Sequence, residues 1–383
     1  MKIGIVCYAS LGGSGIVATE LALALAARGH SAHLVSSDPP FRLPAAAAGV
    51  TFHRVDTPGY PLFRESQYLL ALSTSLVHLV RRERLDVVHA HYAVPHATAA
   101  YLARQILIGT GAESVPRIVT TLHGTDITLV GSDPSYAASV AFSIDCSDGV
   151  TAVSESLKAD TYRALQVRSP IAVIPNFLDC SRYRRDPDPT VRARLCPPDR
   201  YDALVLHASN FRPVKRVSAV IEIFKSLRKR VRARLALVGD GPDLEGAMRT
   251  VSADGLDDDV VVLGEQQDMV PILSISDLFL LPSAQESFGL AALEAMACGV
   301  AVVASRVGGL SEVITDGIDG FLRPVDDLDG MVDVSVAALT DRSLRDRIAI
   351  AAIRTVRERF CTDRVVPLYE EYYRTVLNSG HTR

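Results

Sequence analysis

Two carboxylates with seven residues between them carry the clearest chemical signal in this chain. They are Glu286 and Glu294, in the stretch Glu286-Ser287-Phe288-Gly289-Leu290-Ala291-Ala292-Leu293-Glu294. The stretch follows an apolar run, Leu278 to Leu281, that reads as a strand, and it opens a helix that closes near Gly299. Gly289 lets the backbone come close to a ligand. On this spacing Glu286 stands at the helix entrance and Glu294 about two turns further in. Glu294 sits in an otherwise apolar stretch, where an unpaired carboxylate is costly. It needs donors. Sugar hydroxyls supply them, and a nearby Arg or Lys is the alternative.

Three further patterns sit where strands end. Ser209-Asn210-Phe211-Arg212-Pro213-Val214-Lys215-Arg216 follows the run Ala203 to Ala208. Three cations at a strand's carboxyl end suit a diphosphate, and a solvated basic helix start is the competing reading. Gly12-Gly13-Ser14-Gly15 lies between a strand and a helix, where backbone amides and the helix N-terminus favour an anion. Its spacing is not that of the dinucleotide fingerprint. Thr121-Leu122-His123-Gly124-Thr125-Asp126 ends another strand and aims a histidine at the same edge. His89 and His91 share one face of a strand, with His96 nearby, but no carboxylate or cysteine stands at diagnostic spacing and no metal site is expected.

These patterns need a scaffold, and the chain reads as an α/β protein that builds one twice. Short β-branched runs (Ile3 to Tyr8, Ala32 to Ser36, Asp86 to Tyr92, Arg117 to His123, Val150 to Val153, Ile171 to Ile174) alternate with helical stretches such as Ile16 to Arg28, Gln67 to Arg84 and Ala97 to Leu107. The alternation restarts at Ala203 and continues through Ala233 to Val238, Val260 to Leu263, Leu278 to Leu281 and Ala301 to Ala304. Such alternation implies parallel sheets with helices on both faces. Residues 1–180 then form an N-terminal Rossmann-like domain and 201–362 a second. The Arg- and Pro-rich segment 181–200 reads as a linker, and 363–383 as a C-terminal helix that packs back on the first domain. Two doubly wound domains would face one cleft, since open parallel sheets bind ligands beyond the carboxyl ends of their strands.

Composition narrows the class. The 383 residues are 48% hydrophobic and 22% charged, a globular balance, and the formal net charge of −4 argues against a nucleic-acid or membrane partner. The start runs directly into a strand, and no apolar run approaches the ~20 residues of a membrane span. The six cysteines form no C-x-x-C pair. A cytoplasmic protein with reduced thiols is expected, with a homo-oligomer left open.

Taken together, these residues resemble the GT-B retaining glycosyltransferases of family four. The glutamate spacing matches that family's E-x7-E motif, and His123-Gly124-Thr125-Asp126 and the strand-end basic segment match it in order. Within the family the chain is similar to the malate-accepting branch that opens bacillithiol biosynthesis. The likeness rests on Cys7-Tyr8, Gly12-Gly13-Ser14-Gly15, Pro40-Phe41-Arg42-Leu43, His89-Ala90-His91-Tyr92 with Pro95-His96, Thr120 to Asp126, and Ser209-Asn210-Phe211-Arg212 with Val214-Lys215-Arg216. The resemblance implies UDP-N-acetylglucosamine as donor and L-malate as acceptor. No D-x-D pair directly follows one of the strands read above, and fixed cations can take a metal's role, so no metal or other cofactor is expected. It implies that Glu294 holds the ribose hydroxyls, and that Glu286, beside the backbone of Ser287, Phe288, Gly289 and Leu290, holds the donor sugar. By the same likeness Lys215 holds the diphosphate, with Gly13 on the donor side, and His123 lies near the reacting centre. Many members place an Arg where this chain has Asn210, and Arg212 is the nearest substitute. Malate's two carboxylates need two anion sites. The Gly13-Ser14-Gly15 loop is one and Arg42 the other, with Tyr92 and Thr121 for the remaining oxygens and Arg64 as the fallback cation. An NAD-dependent oxidoreductase on the same architecture, a non-catalytic nucleotide-sugar binder, and a family-four transferase with a lipid or glycan acceptor are the rival readings.

Overall fold

A computed structural model describes residues 1–9, 13–57 and 67–379. Gly12 of the glycine loop and the fallback cation Arg64 lie outside the described residues. The chain divides into two compact units: residues 1–176 with 362–383, and residues 177–361.

The first unit holds a parallel sheet of seven strands in the order β3-β2-β1-β4-β5-β6-β7. These are β1 (Lys2–Val6), β2 (Ser31–Ser36), β3 (Val50–Arg54), β4 (Val87–His91), β5 (Arg117–Leu122), β6 (Gly149–Ala152) and β7 (Ile171–Val173). Helices on both faces bury the central strands, so β4 is covered along its whole length. Leu72, Leu76, Val80, Ala100 and Leu107 pack against Val6, Val35 and Val88 on one face. β3 escapes the sequence reading because it is an edge strand, half exposed, with no apolar run to announce it.

The second unit holds six parallel strands in the order β10-β9-β8-β11-β12-β13. They are β8 (Ala203–Ala208), β9 (Ala233–Val238), β10 (Val260–Gly264), β11 (Leu278–Leu281), β12 (Ala301–Ser305) and β13 (Phe321–Arg323). Its core joins Val205, Leu235, Leu280 and Val303 to Val220, Phe224 and Leu227 of the helix Val217–Arg228.

In each sheet the first strand lies between two strands reached by connections that run in opposite directions: β1 between β2 and β4, and β8 between β9 and β11. That reversal splays the loops beyond the strands' carboxyl ends and leaves room for a ligand there. The glycine loop follows β1, and the loops 209–216 and 282–289 follow β8 and β11.

Two expectations are corrected here. The segment 181–200 is not a free linker but packs within the second unit. Asp188 caps a helix, Pro189–Leu195, and Arg192 donates to Asp277 Oδ2 at 2.7 Å. Tyr183 and Cys196 are buried. Nor are all the thiols reduced: Cys180 and Cys361 form a disulfide, with Cys7, Cys146, Cys196 and Cys298 free. The pair spans 181 residues of sequence, so no local spacing announces it. A parallel bridge between Leu178 and Cys361 sets the two segments side by side.

After Cys361 the helix Thr362–Asn378 belongs to the first unit. Tyr372 donates its hydroxyl to Val150 O at 2.9 Å. Glu370 accepts two hydrogen bonds from Arg28, both at 2.9 Å, and pairs with His30. Gly149 leaves the space that Val376 and Tyr372 fill, since a Cβ there would stand 2.7 Å from Val376.

Candidate active site

The second unit gathers the residues that the sequence singled out most strongly. β8 ends beside β11, so the loop after one meets the loop after the other, and Ala284 N donates to Val214 O at 2.8 Å. This places the Lys215 ammonium 2.6 Å from Glu286 Oε1. Ser283 donates to the same oxygen at 2.9 Å. The other carboxylate oxygen, Oε2, has no hydrogen-bond partner among the described residues. Lys215 uses one of its three N–H bonds here. Arg212 Nε is buried and without a partner among the described residues. A cation with spare donors, an unpartnered guanidinium nitrogen and a half-occupied carboxylate therefore share one strand-end loop pair. The third cation is committed elsewhere: Arg216 donates to Val325 O and stands 3.4 Å from Asp326.

The helix after β11 runs Leu290–Ala297, with Gly289 at its N-cap at φ 95°. Glu286 therefore lies in the preceding loop and Glu294 in the second turn, nearer the helix start than the sequence reading placed it. A Cβ at Gly289 would also come 2.4 Å from Leu310. Glu294 is 7% exposed and accepts from the Tyr183 hydroxyl at 2.7 Å. Phe288 is buried, edge-on to Phe360 at 5.7 Å, and fixes the turn between the two glutamates. Asn210 is exposed at the loop's crest.

Three supporting features went unread in the sequence. Gly308 and Gly309 allow a second loop to close on the glutamate turn. A Cβ at Gly308 would stand 2.0 Å from Glu286 O and one at Gly309 2.4 Å from Ser287 O. The strand-then-glycine pattern that exposed Gly289 was present there too. His207, at the end of β8, links Leu280 O (2.8 Å) and Ser209 Oγ (2.9 Å), and burial holds it near 4, so it is a neutral strut at neutral pH. Tyr183 carried no legible signal, because its partner is 111 residues away.

The first unit brings a different set together. His123, just past β5, has its Nε2 2.8 Å from His91 Nδ1, at the end of β4. Tyr92, at φ 96°, lies beside both, its ring 5.4 Å from that of His123. Burial first and His96 second push His123 down to about 3. Asp126 is buried, accepting from the amides of Gly124 (2.9 Å), His123 and Ala93 (3.3 Å each), and so ties the histidine turn to the loop after β4. Burial raises its pKa to about 6 against those amides.

Ser14 is buried in the first turn of the helix Gly13–Ala27, where Gly13 is exposed, and Arg42 is half-buried beyond β2. Thr121 departs from expectation. Its side chain is fully buried, and its hydroxyl bonds His89 Nε2 and Thr151 Oγ1, both at 2.7 Å. It serves the strand network and is dropped from the acceptor-binding set. His89 and His91 do stand together, with ring centroids 4.4 Å apart, yet no group of three metal-binding side chains converges among the described residues.

Comparison with known proteins then places the chain. A family model described as glycosyl transferases group 1 matches residues 197–355, and one described as Glycosyltransferase Family 4 matches residues 11–182. The chain is 42% identical over 377 residues to the N-acetyl-alpha-D-glucosaminyl L-malate synthase of Bacillus anthracis, covering 98% of this chain and 97% of that one. It is 30% identical to the D-inositol 3-phosphate glycosyltransferase of Saccharomonospora viridis, covering 94% and 89%. Among solved structures, a sucrose-phosphate synthase from Thermosynechococcus elongatus superposes with a TM-score of 0.81 at 20% identity, over 99% of this chain and 100% of that one. The Anabaena protein HepE, solved with UDP and glucose, superposes at 0.79 and 20% identity, over 98% and 100%. The two Rossmann-like units are those of the GT-B fold. No helix among the described residues is long and apolar enough to cross a membrane.

Proposed function

The chain belongs to glycosyltransferase family 4, and from that premise we propose that it is a retaining transferase that carries N-acetylglucosamine from UDP-N-acetylglucosamine to the hydroxyl of L-malate in the cytoplasm. The products are the α-glycoside of malate and UDP, the opening step of bacillithiol biosynthesis. The near-full-length likeness to a malate synthase of this chemistry carries the reading.

The second unit supplies the donor site. Glu294, held by Tyr183, takes the ribose hydroxyls. The diphosphate meets Lys215 and the unpartnered Arg212 Nε. Lys215 now bonds Glu286. An arriving phosphate competes for that ammonium and frees Glu286 to accept hydroxyls of the transferred sugar. As the sugar–phosphate bond breaks, negative charge grows on the leaving diphosphate, and fixed cations stabilise it most where water is excluded. The malate hydroxyl attacks from the face that UDP leaves, and the leaving phosphate takes its proton. Lys215 and Arg212 do the work a divalent metal does in other transferases, so none is required. Ser14, Tyr92 and Arg42 of the first unit hold malate, Arg42 as the fork-like partner of a carboxylate.

The likeness to an inositol-phosphate glycosyltransferase favours a second reading, in which the acceptor is another small anionic alcohol. Mass spectrometry of the product formed from UDP-N-acetylglucosamine with a panel of hydroxy acids and polyol phosphates, with and without a chelator, separates the two. A malate glycoside formed in the presence of chelator supports the proposal. Transfer to another acceptor alone, or turnover restored only by magnesium or manganese, contradicts it.

A further inference from the structure

His91 and His123 face each other across the adjacent strands β4 and β5, and their hydrogen bond leaves one question with a physical answer: which ring carries the proton between them. The ring planes are 20° from parallel with centroids 5.0 Å apart, so the rings meet edge to edge, as an in-plane hydrogen bond requires. His91 Nδ1 lies 2.8 Å from His123 Nε2. The other nitrogen of His91, Nε2, is buried and has no hydrogen-bond partner among the described residues. Were the His91 proton on Nε2, a buried N–H would be left without an acceptor, which is rare and costly. With the proton on Nδ1, His91 donates to His123 and leaves only a bare lone pair.

The neighbouring His96 shows that this pocket tolerates such a lone pair. Its Nδ1 bonds the carbonyl oxygen of His91, which can only accept, so the proton is on Nδ1. Its Nε2 is likewise buried without a partner among the described residues.

We infer that His91 is a positioning residue that fixes His123 in its Nδ1–H form, so that His123 meets a substrate oxygen as a hydrogen-bond donor. With Nε2 accepting from His91, a neutral His123 must carry its proton on Nδ1, and that nitrogen makes no hydrogen bond among the described residues. His123 is only partly covered, so this donor reaches a ligand. The titratable groups around the pair are His89, His96, Tyr92 and Asp126. Burial and the neighbouring imidazoles keep both rings neutral at neutral pH, so the tautomer holds across the working range. His89 completes the support. Its Nε2 is held by Thr121, its Nδ1 lies 2.8 Å from the Tyr373 hydroxyl, and its ring packs against that of His91 at a 37° tilt. In this arrangement His123 is not a base.

The tautomer stands on geometry alone, while its consequence for turnover rests on the proposed function. Nitrogen NMR of protein labelled with 15N-histidine reads the first directly, with the His123 signals assigned by their loss in His123→Asn. A protonated Nδ1 and a bare Nε2 at neutral pH are expected, and a protonated Nε2 overturns the inference. Kinetics read the second. His91→Asn keeps an N–H at the Nδ1 position and is expected to hold kcat within about 10-fold. His91→Asp offers only acceptors, reverses the His123 tautomer and raises its pKa. Its kcat should fall by about 10²-fold, with a new ionisation in the pH profile and UDP affinity unchanged. Equal losses in both variants overturn the positioning role. If His91→Asp does not fold, the wild-type spectrum decides. If the wild type transfers no sugar, the proposed function fails while the spectrum still reports the tautomer.

Discussion

Replacing Glu370 by Gln should weaken the docking of the last helix on the first unit, by an amount that depends on pH in a set direction. Glu370 is 6% exposed and receives two hydrogen bonds from Arg28 and one from His30. Arg28's hydrogen bonds, opposed by burial and aided by His30, lower its pKa from 4.5 to about 2. At about 1.36 kcal/mol per unit that shift is a ceiling of about 3 kcal/mol. The Arg28 side chain is 41% exposed, so solvent screens part of the pairing and about 2 kcal/mol is a realistic expectation. The carboxyl's folded pKa lies below its unfolded one. Its contribution is therefore complete above about pH 5 and disappears as pH falls through 4.5 toward 2. Hydrogen exchange of the helix Thr362–Asn378 suits the assay, because a chain of two units need not unfold in one step. Glu370→Gln should exchange about 10- to 30-fold faster than wild type at pH 7, with the gap closing on acidification. A gap that is absent at pH 7, or that persists unchanged down to pH 3, would refute the reasoning.

Glu294→Gln and Tyr183→Phe should both fold and both lose UDP affinity. The hydroxyl-to-carboxylate bond is buried and charge-assisted, so about a 10-fold loss in the Tyr183 variant is expected by calorimetry. Unchanged affinity in Glu294→Gln would remove the ribose assignment. Arg42→Ala should raise the malate KM by about 10- to 100-fold, one lost charge-assisted contact, with little effect on the donor. A normal malate KM in steady-state kinetics would move the search to other cations. Alkylation under denaturing, non-reducing conditions followed by mass spectrometry should label Cys7, Cys146, Cys196 and Cys298 and spare Cys180 and Cys361 until reduction. Six labelled cysteines without reductant would rule out the disulfide.

The sequence by itself determined the central strands, the helices that carry the site and the places where they stop. Apolar β-branched runs marked the buried strands, because parallel strands covered on both faces need apolar side chains throughout. Gly289 and the helix it caps were legible because left-handed backbone selects glycine. The same local logic exposed the glutamates and the basic loop, and the segment 121–126. It did not reach the edge strands β3, whose half-exposed residues carry no pattern, and β13, only three residues long, nor the segment 181–200, where Pro189 begins a helix. What only the tertiary structure decided were the partners. Lys215 meets Glu286 because β8 lies beside β11, and His91 meets His123 because β4 lies beside β5. Tyr183 reaches Glu294, and Cys180 reaches Cys361, across 111 and 181 residues. Helical and strand periodicities are set within a few residues by backbone geometry. Which donor satisfies a buried carboxylate is set by strand order and by how loops close over it, and no local spacing encodes that.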